Sequence, residues 1–108
     1  MAKTVTIMQP GTSAGVVYTS PNAQEIVGAS VCGAGGAATI TVHLVKSGDS
    51  LAADTMVYNA LSVAASGAAA TVFLNALFNV GMKNGDAIHA LASDAATLTL
   101  MLTTRDAA

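Results

Sequence analysis

Strict alternation of apolar and hydroxyl-bearing residues most narrows the folds open to this chain. In Thr39-Ile40-Thr41-Val42-His43-Leu44, Ile40, Val42 and Leu44 fall on one side and Thr39, Thr41 and His43 on the other. Thr97-Leu98-Thr99-Leu100-Met101-Leu102-Thr103 repeats the pattern, with three leucines set against threonines and Met101. A period of two belongs to a strand with one buried face, because successive side chains of a pleated chain point to opposite sides. The β-branched residues suit that pleat, since their restricted rotamers cost little there.

Further strands are predicted over Lys3 to Met8, Gly15 to Thr19, Glu25 to Cys32, Thr55 to Val63, Ala69 to Leu74 and Ala87 to Ala92. Turn chemistry separates them. Ser20-Pro21-Asn22-Ala23 presets one dihedral with Pro and tolerates the next with Asn. Gly33-Ala34-Gly35-Gly36 is expected as a hairpin reversal, and Lys46-Ser47-Gly48-Asp49-Ser50 as an exposed turn. Asn84-Gly85, within Lys83 to Asp86, is a strong turn dipeptide. Short strands recurring about every 8–12 residues indicate a sandwich or small barrel. The expected fold class is all-β: a single-domain, antiparallel, jelly-roll-like β-sandwich of about eight short strands. Alanine runs favour helix locally, so at most one short helix is expected, near Ala76-Leu77-Phe78 or around Leu51 to Asp54. The sandwich is assigned to residues 15–105, with residues 1–14 as an N-terminal arm carrying an edge strand and residues 106–108 as a C-terminal tail. Its core is expected to hold Ile26, Val31, Ile40, Val42, Leu44, Val72, Ile88, Leu98, Leu100 and Leu102.

Charge decides what such a sandwich does with its surface. Of 108 residues, 9% are charged and 53% hydrophobic, where an ordinary domain carries about 25% charged residues. A domain of this size leaves much of its surface outside its own core. That surface must then be built from Ala, Thr, Ser, Gly and Asn, which suits contact with other subunits better than life as a free monomer. A homo-oligomer, dimer or trimer, is the expectation.

The same composition argues against several function classes. Lys3, Lys46, Lys83 and Arg105 are scattered and the net charge is −2, so no basic cluster is present to neutralise phosphates and no direct nucleic-acid partner is expected. The charge-free stretch from Thr55 to Met82 is long enough to cross a bilayer. It is interrupted by Asn, Ser and Gly and lacks flanking Lys/Arg clusters, so no membrane association is expected. The N-terminus has no basic segment followed by an apolar run, which argues against a secretory signal and for synthesis in a cytoplasm. The single cysteine, Cys32, is read as a small buried hydrophobe.

No catalytic, cofactor-binding or metal-binding residues are assigned, and the chain is not expected to be an enzyme. His43 and His89 sit opposite the main apolar residues of their strands, with no Cys, Asp or Glu at metal-ligand spacing. Glu25 is the only glutamate. The aspartates fall mostly in turns, where their side chains bond backbone N–H groups. No Gly-x-Ser-x-Gly elbow exposes a nucleophile, and the glycines at 33–36 lack the Gly-Lys-Ser/Thr of a phosphate loop. Tyr18, Tyr58, Phe73 and Phe78 are read as core or interface anchors rather than a sugar platform.

The order of segments resembles a known family. Val17-Tyr18-Thr19-Ser20-Pro21-Asn22-Ala23 is similar to the "L-Y-T-x-P-A-G" opening of small β-sandwich virion proteins of tailed bacteriophages. Val80-Gly81-Met82-Lys83-Asn84-Gly85-Asp86-Ala87-Ile88-His89-Ala90-Leu91-Ala92-Ser93 resembles their "L-x-x-G-D-x-L-x-A-x-A-S" stretch, and Leu98 to Thr104 their closing strand. The likeness spans Gly15 to Arg105, departing from the pattern at Asn22-Ala23-Gln24 and in the Ala-rich middle. It implies a structural virion protein located on the capsid surface. The role implied is capsid decoration (cement), with binding between major capsid protein subunits. The alternative is a tail, neck or fibre component. Partner contacts are expected from the flanking segments, Met1 to Pro10 and Thr103 to Ala108, with Val5, Ile7, Met8 and Arg105 as candidates, and from Met101, a flexible side chain facing away from the leucine stripe. The strand from Lys3 to Met8 is expected to extend a neighbouring subunit's sheet.

Overall fold

Each early strand pairs with a late one, so the chain forms one long antiparallel hairpin rolled into two sheets. The computed structural model describes residues 3–33, 36–94 and 97–107, apart from the side chains of Ala53 and Ala68. Its strands are β1 (Lys3–Met8), β2 (Gly15–Thr19), β3 (Gln24–Gly33), β4 (Ala38–Val45), β5 (Met56–Val63), β6 (Thr71–Phe73), β7 (Val80–Met82), β8 (Ala87–Ala92) and β9 (Leu98–Asp106). The pairings β1 with β9, β2 with β8, β3 with both β6 and β7, and β4 with β5 are all antiparallel. Further ladders, β3 with β9 and β4 with β8, complete a five-stranded sheet ordered β1-β9-β3-β6, with β7 also on β3, and a four-stranded sheet ordered β2-β8-β4-β5. This nested order is that of a jelly roll. The fold is an all-β antiparallel sandwich, as the period-two pattern implies.

The alternation places the core between the sheets. Ile26, Val31, Leu98, Leu100 and Leu102 from the larger sheet meet Ile40, Val42, Ile88, Ala90 and Ala92 from the smaller, all essentially inaccessible to solvent. Val63, Leu74, Leu77 and Met82 close its margins. Of the expected core residues, Leu44 and Val72 are only half-buried and pack against the cluster from its edge. Val72 lies on the three-residue β6 at a sheet margin, and Leu44 lies near the end of β4.

Alanine propensity produces no α-helix among the described residues. It yields single 3-10 turns at Ala53–Thr55, Ala68–Ala70 and Asn75–Leu77, two of them at the positions where one short helix is expected from the sequence. The last turn bridges β6 and β7. There the amides of Leu74 and Asn79 bond the Ala29 and Ile26 carbonyls at 2.9 and 2.7 Å, so the edge of β3 stays paired across the gap. The charge-free stretch from Thr55 to Met82 is thus spent on short strands and turns. No helix among the described residues is long and apolar enough to cross a membrane.

Several expectations are corrected. The segment around Gly33 to Gly36 does not make a hairpin, because β3 and β4 belong to different sheets and the chain there crosses the sandwich. Ala34 and Gly35 themselves lie outside the described residues, as do Met1 and Ala2 of the N-terminal segment and Ala108 of the C-terminal one. At Gly33, a Cβ would lie 2.2 Å from the Ala64 carbonyl oxygen. That close approach requires glycine. Within the expected arm, β1 pairs with β9 of its own sheet over six consecutive residues, making it an integral edge of the sandwich. The expected tail begins inside β9, and Ala107 donates its amide to the Ala23 carbonyl at 2.9 Å.

Candidate functional site: the open face of the larger sheet

Cross-strand register assembles the site, since directly paired residues of an antiparallel ladder share a face. Ile7 pairs with Met101, Met101 with Ser30, and Ser30 with Phe73. These residues form one row across β1, β9, β3 and β6. Adjacent rows hold Val5, Thr103 and Gly28 on one side and Thr99, Cys32 and Thr71 on the other. All of them point away from the core. Ile7 is 67% exposed, Phe73 65%, Val5 55% and Met101 42%.

Formal charge is confined to one end of this face. Lys3, Arg105 and Glu25 make up the terminal row, and Arg105 donates to Glu25 Oε1 from Nε at 2.9 Å and from its terminal nitrogen at 2.5 Å. Beyond that row no ionised side chain interrupts the sheet. Four strands about 4.8 Å apart and three uncharged rows of alternate residues give a patch on the order of 300 Å². That is the size of the largest surface patch on many single domains, and such a patch is often functional.

The outer face of the smaller sheet is covered along β4, although Val16 and Met56 at its margins are exposed. Thr41, His43 and Val45 point outward from β4 yet are buried. The turn at Ala53–Thr55 packs against β4, and His43 Nδ1 lies 2.9 Å from Thr55 Oγ1. On β5, Asn59 and Ala60 bulge opposite Thr41, whose hydroxyl accepts the Ala60 amide at 3.1 Å. The sequence treats His43 and His89 as separate; the register places them directly opposite each other. They form no metal centre with a third group: among the described residues no cluster of three His, Cys, Asp or Glu could hold an ion.

One end of the sandwich is locked by Asp86. This residue is 2% exposed, and its carboxylate accepts the amides of Ser47 and Lys83, each at 2.9 Å, and the Lys46 ammonium at 3.4 Å. Burial pushes the carboxyl up, but the two amides and the ammonium outweigh it and hold it below its ordinary value of 3.8. The role is structural, joining the turn after β4 to the turn before β8. Gly85 completes that turn at φ +91°. Ser20 ties in β2, donating its amide to the Asp86 carbonyl at 2.8 Å and accepting the Gly85 amide at 2.9 Å.

Four of the five predicted contact residues, Val5, Ile7, Met101 and Arg105, therefore share the open face. Met8 does not. It pairs with Leu100 on the inward side and packs, half-buried, against the core, because its position in the alternation is one out of step with Val5 and Ile7. Cys32 is also corrected: it is exposed on the same face rather than buried. Phe73, left between core and interface by the sequence, lies exposed on this face, and Thr71 joins it unforeseen, because Ala69 to Leu74 has too weak an alternation to show which side faces out.

Comparison with known proteins adds no relative: no protein-family model, no curated protein and no solved structure matches the chain.

Proposed function

We propose that this chain is a structural virion protein of a tailed bacteriophage, a capsid decoration protein that binds between major capsid protein subunits and stabilises the head. The observation carrying the assembly role is the uncharged apolar face formed by Val5, Ile7, Met101 and Phe73. Covering each of these side chains is worth on the order of 1–2 kcal/mol at about 25 cal/mol per Å². Many copies on one particle then add such contacts. The phage assignment is carried by the family resemblance over Gly15 to Arg105. A jelly roll is compatible with it, but that fold serves capsid and lectin domains alike and assigns no role by itself. No catalytic step is part of the proposal.

The test is the protein's copy number relative to major capsid protein in purified particles, together with the heat stability of particles lacking it. Hundreds of copies and earlier loss of DNA from depleted particles support decoration. A few dozen copies or fewer point to a tail, neck or fibre component, and absence from particles overturns the virion reading.

A further inference from the structure

The sandwich has four sheet edges, and three are protected. β2 carries a register shift between Val16 and Tyr18. β5 carries two shifts and a residue with positive φ, Ala60 at 53°. The edge beyond β3 is divided between β6 and β7, three residues each. Bulges and short strands of this kind prevent edge-to-edge pairing. β1 has neither device. It runs six residues in unbroken register with β9, contains no proline, and bears one charge, at Lys3. Among the described residues nothing pairs with its outer side.

We propose that β1 pairs antiparallel with β1 of a second copy about a two-fold axis through Thr6, joining two five-stranded sheets into one continuous sheet. An axis normal to the sheet keeps both open faces on the same side, so paired residues must have the same parity. With Thr6 opposite Thr6 of the second copy, Val5 lies opposite Ile7, Ile7 opposite Val5, and Thr4 opposite Met8. Apolar residues then meet on the open face, where such cross-strand pairs are stabilising. The two Lys3 side chains sit at opposite ends of the ladder, so no like charges are juxtaposed. Shifting the axis to Val5 would set Lys3 against Ile7 and lose this match. Such an interface is isologous and closes at two copies. It also joins the rows of the two open faces, since Phe73-Ser30-Met101-Ile7 continues into Val5 and Thr103 of the second copy. The inference goes beyond the proposed virion role and does not depend on it.

Sedimentation equilibrium of the purified chain, from micromolar to sub-millimolar concentration, tests the proposal with two double variants. Both sites are more than half exposed, so the fold should survive, which thermal melts verify. V5K/I7K places lysine opposite lysine twice across the axis, whereas V5E/I7K places glutamate opposite lysine twice. The wild type should be a dimer, V5K/I7K should weaken it about tenfold or more, and V5E/I7K should restore it. A monomeric wild type, a trimer, a folded V5K/I7K variant that dimerises as tightly as the wild type, or a folded V5E/I7K variant that dimerises no better than V5K/I7K, overturns the proposal. If either variant unfolds, Thr6→Cys in a Cys32→Ser chain decides. Each Thr6 faces its own copy at the axis, so oxidation should give a covalent dimer, and failure to cross-link refutes the register.

Discussion

Replacing Asp86 by alanine should cost more than any other single polar substitution in the chain. The side chain is buried and accepts two backbone amides at 2.9 Å. Its removal leaves both without their partner, at about 1–3 kcal/mol per unsatisfied group. Ser47 and Lys83 lie at the surface, so water recovers part of this and the lower end applies. Lys46 adds little, because its side chain is 55% exposed. The expected loss is therefore roughly 2–3 kcal/mol, or about 8–20 °C in Tm for a domain of this size. Asp86→Asn keeps one acceptor oxygen and should lose about half as much. The pH dependence has a definite sign. The folded carboxyl titrates below its ordinary value of 3.8, so the stabilisation is complete above that pH and disappears as the pH falls through the folded value. Urea unfolding of wild type and Asp86→Asn at a series of pH values measures this. The gap between them should be widest near neutrality and close below pH 3.8. A constant gap, or a loss under about 0.5 kcal/mol for Asp86→Ala, would refute the reasoning.

Other substitutions probe separate parts of the account. Gly33→Ala should destabilise by about 2–3 kcal/mol, because its Cβ would displace the Ala64 carbonyl. Gly36→Ala, with nothing within 4 Å of the added Cβ, should change the urea midpoint little. Thr104 is fully buried with its hydroxyl unpartnered, so Thr104→Val should raise stability by about 1 kcal/mol in the same assay. Phe73→Lys and Met101→Lys should each leave folding within about 0.5 kcal/mol of wild type. In a particle-binding assay, both should bind more weakly.

The strands were legible wherever polar and apolar residues alternate, as in Ile40-Val42-Leu44 and Leu98-Leu100-Leu102, because a buried face imposes that period. β7 was not legible: Val80 to Met82 is three residues long, too short to show any period. Connections between sheets were also hidden. A glycine-rich reversal such as Gly33 to Gly36 has the same local chemistry whether it makes a hairpin or crosses the sandwich, and only the pairing of distant strands decides. The open face was half visible. Val5, Ile7 and Met101 stand out of step with the core residues of their own strands, whereas Cys32 and Phe73 join them only through the register of β3 with β9 and β6. His43 does lie opposite the apolar residues of β4, but its burial was hidden, because period two gives the side of a strand and not whether the following Ala53–Thr55 turn folds back over it.

The central claim is that the uncharged face of the larger sheet is covered by neighbours when the protein works. Cys32 is the chain's single cysteine and lies exposed on that face, so its alkylation rate reports coverage directly. The free protein should react readily, and the same protein in its assembled particle should react at least about tenfold more slowly. Equal rates in the two states would mean that the face stays open to solvent and that assembly uses some other surface.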